Sequence, residues 1–373
     1  MNSFQLIDII LVIGIGQGIF LSLTLQRITN NNRSANSMLS LLLIIATIML
    51  VGRFVYFRYL TKWVFQWSLF VDSLVFLFGP ILYTYIRRLL FIGNTNFRLP
   101  KIHFLPFLAM VLFASYYVIF YTPDTYIQLF VDGNILFFFD IISLTMILFN
   151  ALYLVKSFIL LKSYNSKEKE TFSFEQTPVT YLNFFLFSFS TCLIAWLASF
   201  INYTLLDQYF SYVNYESIWI AIPIFIYVIG YFSLKQPELF RIPLVQKEVE
   251  KKSRLAEVEI QLLMEKLDSL MLNERVYLQS NLTLTEVAEL LHTSSNNISW
   301  LLNNVYHSTF YDFINKFRIK EFVHKIENKE HLQHTILALS MDVGFNSKST
   351  FNKAFKLTMK ETPSDYIKNL SAA

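Results

Sequence analysis

Lys348, Ser349, Asn352, Lys353 and Lys356 recur at helical spacing behind Ser347, so one helix face collects three cations, an amide and a hydroxyl. Nothing in that set is arranged to move a proton or attack a carbonyl. Cations attract phosphate oxygens and amides pair with base edges, so these residues, with Ser347, suit contact with double-stranded DNA. Ser347 is also a good N-cap for the helix that carries them. Phe351, Ala354, Phe355 and Thr358 mark the face expected to be buried. Ahead of the cap, Gly344 can take the left-handed conformation of a tight turn, and Phe345 then points inward. A short apolar helix (Ile336, Leu337, Leu339, Met341) precedes the turn, and Thr362-Pro363-Ser364-Asp365 opens a closing helix with Pro363 at its first position. Two helices joined by a glycine turn, the second basic and amide-rich, form the arrangement that lays a helix in the major groove.

A second constellation lies upstream. Thr283-Leu284-Thr285-Glu286 is a capping box, Ala288 sits where two helices would cross closely, and Ile298 would fill their shared core. The helix expected from about Ser294 exposes Ser295, Asn296, Asn297, Ser299, Trp300 and Asn303. An Asn paired with adenine gives about 1–3 kcal/mol of discrimination. From Asn281 to Phe310 there is no Lys or Arg, while Glu286 and Glu289 are present. Attraction for phosphate must therefore come from Lys348, Lys353 and Lys356, and from Lys316, Arg318, Lys320 and Lys325 on the helix between the two motifs.

GFNSKSTFNKAFK followed by TPSDY resembles the second helix-turn-helix of the AraC family of bacterial transcription regulators. LTLTEVAELLHTSSNNISWLLNNVYHSTFYDFINKFRIKEF is similar to that family's first helix-turn-helix and linking helix. The resemblance implies a sequence-specific DNA-binding regulator with tandem motifs, and not an enzyme. His292, His307 and Lys360 stand where the family commonly has glycine, and Trp300 where it often has Arg. Histidine tolerates the left-handed region better than most residues, so these turns are expected to persist with modest strain.

The chain up to residue 236 has a different composition, rich in Leu, Ile, Phe and Tyr. Its apolar runs, at approximately 6–25, 38–60, 68–90, 102–122, 134–160, 180–204 and 217–234, predict a seven-span bundle, since crossing a hydrocarbon layer takes about 20 helical residues. With the C-terminal part in the cytoplasm, seven spans put Met1 outside. The inner loops then hold Arg27, Arg33, Arg87, Arg88, Arg98, Lys101, Lys156, Lys162, Lys167 and Lys169. The fourth and sixth loops, facing out, hold only the acidic Asp124, Asp132, Asp207 and Glu216, in line with the positive-inside bias. The second loop, with Arg58 and Lys62, is an exception. FLFGPILYTYIR resembles the third span of membrane-tethered AraC-type regulators common in Bacteroidetes, which implies a bacterial inner-membrane location.

Within the runs, Asp8, Arg53, Asp72 and Asp140 are costly to bury unless paired. Arg53, Asp72 and Asp140 are candidates for a ligand or ion site, for a small-molecule or envelope signal, or for a structural pair. Gly14 and Gly18 of GIGQG fit close helix packing, because no strand and no Lys accompanies them. Pro80, Pro106 and Pro223 are expected to kink their helices.

The expected organisation is all-α: residues 1–236 a seven-helix transmembrane domain, 237–275 an amphipathic linker, 276–373 the DNA-binding domain. Along the linker, Ala256, Ile260, Leu263, Leu267 and Leu270 have the 3–4 spacing of a short coiled coil, which offers a homodimer seam, or of a single amphipathic helix packed on its own domain; either way the helix is a stiff relay from the last span. The single Cys192 provides no disulfide or thiolate metal site. His324, His331 and His334 lack carboxylate or cysteine companions at ligand spacing, so no metal and no cofactor is expected. Protease, hydrolase and P-loop motifs are missing. The alternative from another class is a transporter or channel with a cytoplasmic partner-binding domain, for which the runs offer few polar residues.

Overall fold

The computed structural model describes residues 6–27, 33–90, 97–174, 177–204, 217–235 and 257–372. Among them the chain is helical apart from its connections, with one isolated antiparallel bridge between Phe172 and Thr283. It divides into two compact units. The first comprises Met1–Lys162 and Thr177–Gln246, the second Ser163–Gln176 and Lys247–Ala373.

Nine helices are described in the first unit, the seventh running on into the second: α1 (Leu6–Arg27), α2 (Arg33–Arg58), α3 (Lys62–Ser73), α4 (Val75–Leu90), α5 (Leu105–Phe120), α6 (Pro123–Val131), α7 (Leu136–Thr171), α8 (Thr177–Thr204) and α9 (Ser217–Lys235). Among the described residues, six stretches are long and apolar enough to cross a membrane: α1, α2, α3 with α4, Lys101–Phe120, α7, and Tyr181–Thr204 within α8. Large apolar side chains point outward along them; Leu112, Ile119, Phe187 and Ile194 are 62%, 71%, 70% and 67% exposed. Water would oppose such a surface and lipid tails would not. The seventh expected run falls on α9, which is not among these six.

Gly14 and Gly18 let α1 approach its neighbours closely. A Cβ at Gly14 would lie 2.9 Å from Pro223 of α9, and one at Gly18 would collide with Thr47 of α2. The prolines divide in role. Pro80 and Pro223 lie inside helices, whereas Pro106 opens α5, where its missing N–H costs nothing. The third run breaks at Leu74, six residues before Pro80. Beside it, the Asn150 amide accepts from Gly79 N at 2.9 Å and donates to Val75 O at 3.3 Å, a side chain inserted into one turn of α4.

The second unit contains α10 (Glu257–Leu272), α11 (Leu284–Leu290), α12 (Ser295–Asn304), α13 (Phe310–Glu327), α14 (Ile336–Asp342), α15 (Lys348–Met359) and α16 (Pro363–Ala372). Two apolar cores meet along α13. The N-terminal half of that helix (Phe310, Phe313, Ile314) packs with α10, α11 and α12, and its C-terminal half (Ile319, Phe322, Ile326) with α14 and α15. The stripe read as a coiled coil is consumed here. Leu263, Leu267 and Leu270 are buried in the first core, with Ile260 against it, so the linker helix belongs to this unit's fold. Ala256 and the segment before it lie outside the described residues.

Candidate nucleic-acid interface

Each of α11 to α16 opens on a hydroxyl. Thr283, Ser294, Thr309, Thr335, Ser347 and Thr362 accept from the backbone N–H three residues on, at 3.1 to 3.2 Å. Such caps contribute about 1 kcal/mol apiece and set where each helix begins. In the capping box the Glu286 carboxylate also accepts from Thr283 N at 2.8 Å. One of the two acidic groups near α12 is thereby tied to its own helix.

The turn between α14 and α15 is built as its residues require. Gly344 has φ +97°, and a Cβ there would stand 2.7 Å from Tyr277 O and 2.8 Å from Leu278 O. Phe345 is buried, with its ring 5.3 Å from Phe351, which lies 4.7 Å from Phe322. Ala288, Ile298 and Pro363 are buried as well. The same left-handed geometry appears at His292 (φ 53°), His307 (φ 48°) and Lys360 (φ 66°), three turns that carry no glycine.

With α15 held from behind by Phe351, Ala354 and Phe355, its open face presents Lys348, Ser349, Asn352, Lys353 and Lys356, all exposed. Ser347 is half-buried, committed to capping. Thr358, expected inside, is exposed, and its hydroxyl donates to Ala354 O at 2.9 Å. Leu337 and Met341 of α14 are likewise exposed, at 39% and 51%. On α12, Asn296, Trp300 and Asn303 are exposed, while Ser295, Asn297 and Ser299 are half-buried. The Asn297 amide donates to Thr293 Oγ1 at 3.0 Å, so reading a base would require it to release that bond.

Two helix pairs, α11 with α12 and α14 with α15, therefore flank α13, each exposing polar groups on its second helix. Residues 287–369 match the family model of a helix-turn-helix domain. The match runs from within α11 into α16. No curated protein and no solved structure matches the chain. A DNA-binding regulatory domain is thus present, and its class is not enzymatic.

The cations of α13 divide differently from the sequence expectation. Lys316 and Lys320 are exposed, but Lys325 is ion-paired with Glu330 at 2.9 Å. Arg318 is fully buried and cannot reach phosphate. Its five N–H groups find five acceptors. Nε donates to Tyr277 O at 2.7 Å, Nη1 to Ser173 O at 2.9 Å and Asn315 Oδ1 at 3.2 Å, Nη2 to Gln279 O at 2.7 Å and Ser173 Oγ at 3.1 Å. Burial lowers its pKa to about 10, which leaves it charged at neutral pH. Ser173 also donates, through its hydroxyl, to Leu282 O at 2.8 Å. Sequence reasoning missed this clamp. A signal existed on one side only: Ile314, Arg318 and Phe322 share the buried stripe of α13.

Proposed function

We propose that the chain is a membrane-embedded transcription regulator of a bacterial inner membrane, with seven spans, Met1 outside and the second unit in the cytoplasm. One observation carries the reading: a helix-turn-helix domain and six membrane-length helices occur in a single chain. In this reading α12 and α15 are tandem recognition helices that enter successive major-groove segments. The amides of α12 read bases, and the lysines of α15 hold the phosphate backbone.

The inside-outside assignment draws support from the exceptional second loop. Its Arg58 faces Asp8 at 3.6 Å and its Lys62 is ion-paired with Asp124. These partners come from the start of α1 and from α6, so the start of α1 and the second and fourth loops, all assigned to one side, meet at one end of the first unit. A signal received by the spans would travel along α7, whose residues from Ser163 onward belong to the second unit, where Arg318 grips the following Ser173.

Full-length protein in nanodiscs tests the proposal by mobility shift and footprinting on its own promoter region. Protection of two adjacent major-groove segments on one DNA face is expected. Absence of any sequence-specific footprint, or a reporter fused after Ala373 that is active only outside the cytoplasm, overturns it.

A further inference from the structure

Arg53, Asp72 and Asp140, named separately in the sequence, line one cavity of about 380 Å³ inside the first unit. The cavity lies where α2 and α8 end and where α7 and α9 begin, with α3 running along it from Phe65 to Asp72 and α6 alongside, so it opens toward the end of the bundle that carries the second and fourth loops. Aromatic residues dominate its wall, among them Phe65, Tyr126, Phe130, Phe139 and Trp196. Its volume falls in the range of small-molecule sites, about 300–1,000 Å³.

Charge selects the occupant. The Arg53 guanidinium already lies over the rings of Phe57, Tyr56 and Trp219, at 4.3, 4.7 and 5.1 Å from their centroids. Asp140 accepts from the Thr204 hydroxyl at 3.3 Å, a neutral partner. Among the described residues, one Arg against two Asp leaves the lining with a formal charge of −1. A buried net charge is costly, and a monovalent cation would remove it. Aromatic faces add attraction for an organic ammonium, which the same wall would not give an anion. A bare metal ion is disfavoured: among the described residues no group of three His, Cys, Asp or Glu could hold one.

We infer that this cavity is a binding site for a small organic monocation, an amine carrying an aromatic or branched apolar group. The inference deepens the proposed function by naming the class of signal, and it rests on that reading only for the side from which the ligand enters. Asp72 and Asp140 meet the ammonium, and the aromatic wall takes the apolar body.

Intrinsic tryptophan fluorescence of full-length protein in nanodiscs provides the test, since Trp196 and Trp219 line the cavity. The probes are phenethylamine and benzyltrimethylammonium as cations, N-acetylphenethylamine as a neutral analogue and 3-phenylpropionate as an anion. Saturable binding of at least one cation is expected, about tenfold or more tighter than the neutral and anionic probes. Asp72→Asn and Asp140→Asn should each weaken it by about tenfold with helical content unchanged. Lys353→Ala, which lies in the other unit, should leave it untouched. Equal binding of the neutral analogue, tighter binding of the anion, indifference to both Asn variants, or no saturable binding of either cation overturns the inference. Footprinting of the same preparation keeps the two ideas apart, because DNA binding without amine binding defeats only this one.

Discussion

Replacing Ser173 by Ala removes one hydroxyl from a site in which Arg318 has no carboxylate to fall back on. The lost oxygen accepts from Arg318 Nη2 at 3.1 Å and donates to Leu282 O at 2.8 Å. A hydrogen bond to a buried charge contributes about 1.5–3 kcal/mol and a neutral one about 0.5–1.5 kcal/mol, so the pair is worth about 2–4 kcal/mol. The segment stays partly held, because Ser173 O still accepts from Arg318 Nη1 at 2.9 Å and Ser173 N still donates to Leu282 O at 3.2 Å. Hydrogen–deuterium exchange of the Ser173 amide, in full-length protein in nanodiscs, reports local opening directly. Serine-to-alanine should speed that exchange by about 30- to 1,000-fold, the factor that corresponds to 2–4 kcal/mol. In an Arg318→Met background the same change should cost only the Leu282 bond, about 1 kcal/mol, since the charged donor is gone. An exchange rate within about threefold of wild type, or an equal effect in both backgrounds, would show that Arg318 does not hold this segment. The relay along α7 would then lose its physical basis.

Other perturbations address the DNA-binding unit itself. Lys353→Ala should weaken binding to all sequences alike and reduce the slope of log K against log salt by about 0.9, read from titrations at several salt concentrations. Asn296→Ala should instead relax preference at one base pair by about 1–3 kcal/mol with the salt slope kept, which competition among single-base variants of the site would measure. Gly344→Ala forces a Cβ to within 2.7 Å of Tyr277 O at φ +97°; a loss of about 2–4 kcal/mol is expected in denaturant unfolding of this unit. Phe351→Ala empties the centre of the aromatic cluster with Phe322, Phe345 and Phe355 and should cost about 3–5 kcal/mol in the same assay.

What was legible in the sequence is what short-range chemistry decides. Hydroxyl caps at Ser294 and Ser347, the glycine turn at Gly344 and the left-handed turns at His292, His307 and Lys360 each depend on a few adjacent residues, and the structure has them all. Membrane-length helices were equally plain, because a run of apolar residues needs no partner to be recognised. Convergence was not legible. Arg53, Asp72 and Asp140 stand far apart in the chain, and only the packing of α2, α3 and α7 brings them to one cavity. Ser173 gives no local hint of its partner, 145 residues away.

The linker stripe and Arg318 turn on one physical point: spacing reveals that a helix face is covered, and is silent about what covers it. Leu263, Leu267 and Leu270 fit a coiled-coil seam, yet α11 and α12 offer that stripe a neighbour within the same unit, and burial there is complete. An intramolecular partner needs no encounter and forfeits no translational freedom, so it outcompetes a second chain of equal complementarity. Arg318 is the same lesson with charge. Counted as a cation of α13 it looked available to phosphate, but it shares a stripe with Ile314 and Phe322, and that stripe faces inward. A guanidinium forced there must find an acceptor for every N–H. The carbonyls of Tyr277 and Gln279 meet part of that demand, and the rest falls to Ser173. The requirement to satisfy one buried arginine is thus what ties a segment beyond the end of α7 into the DNA-binding unit.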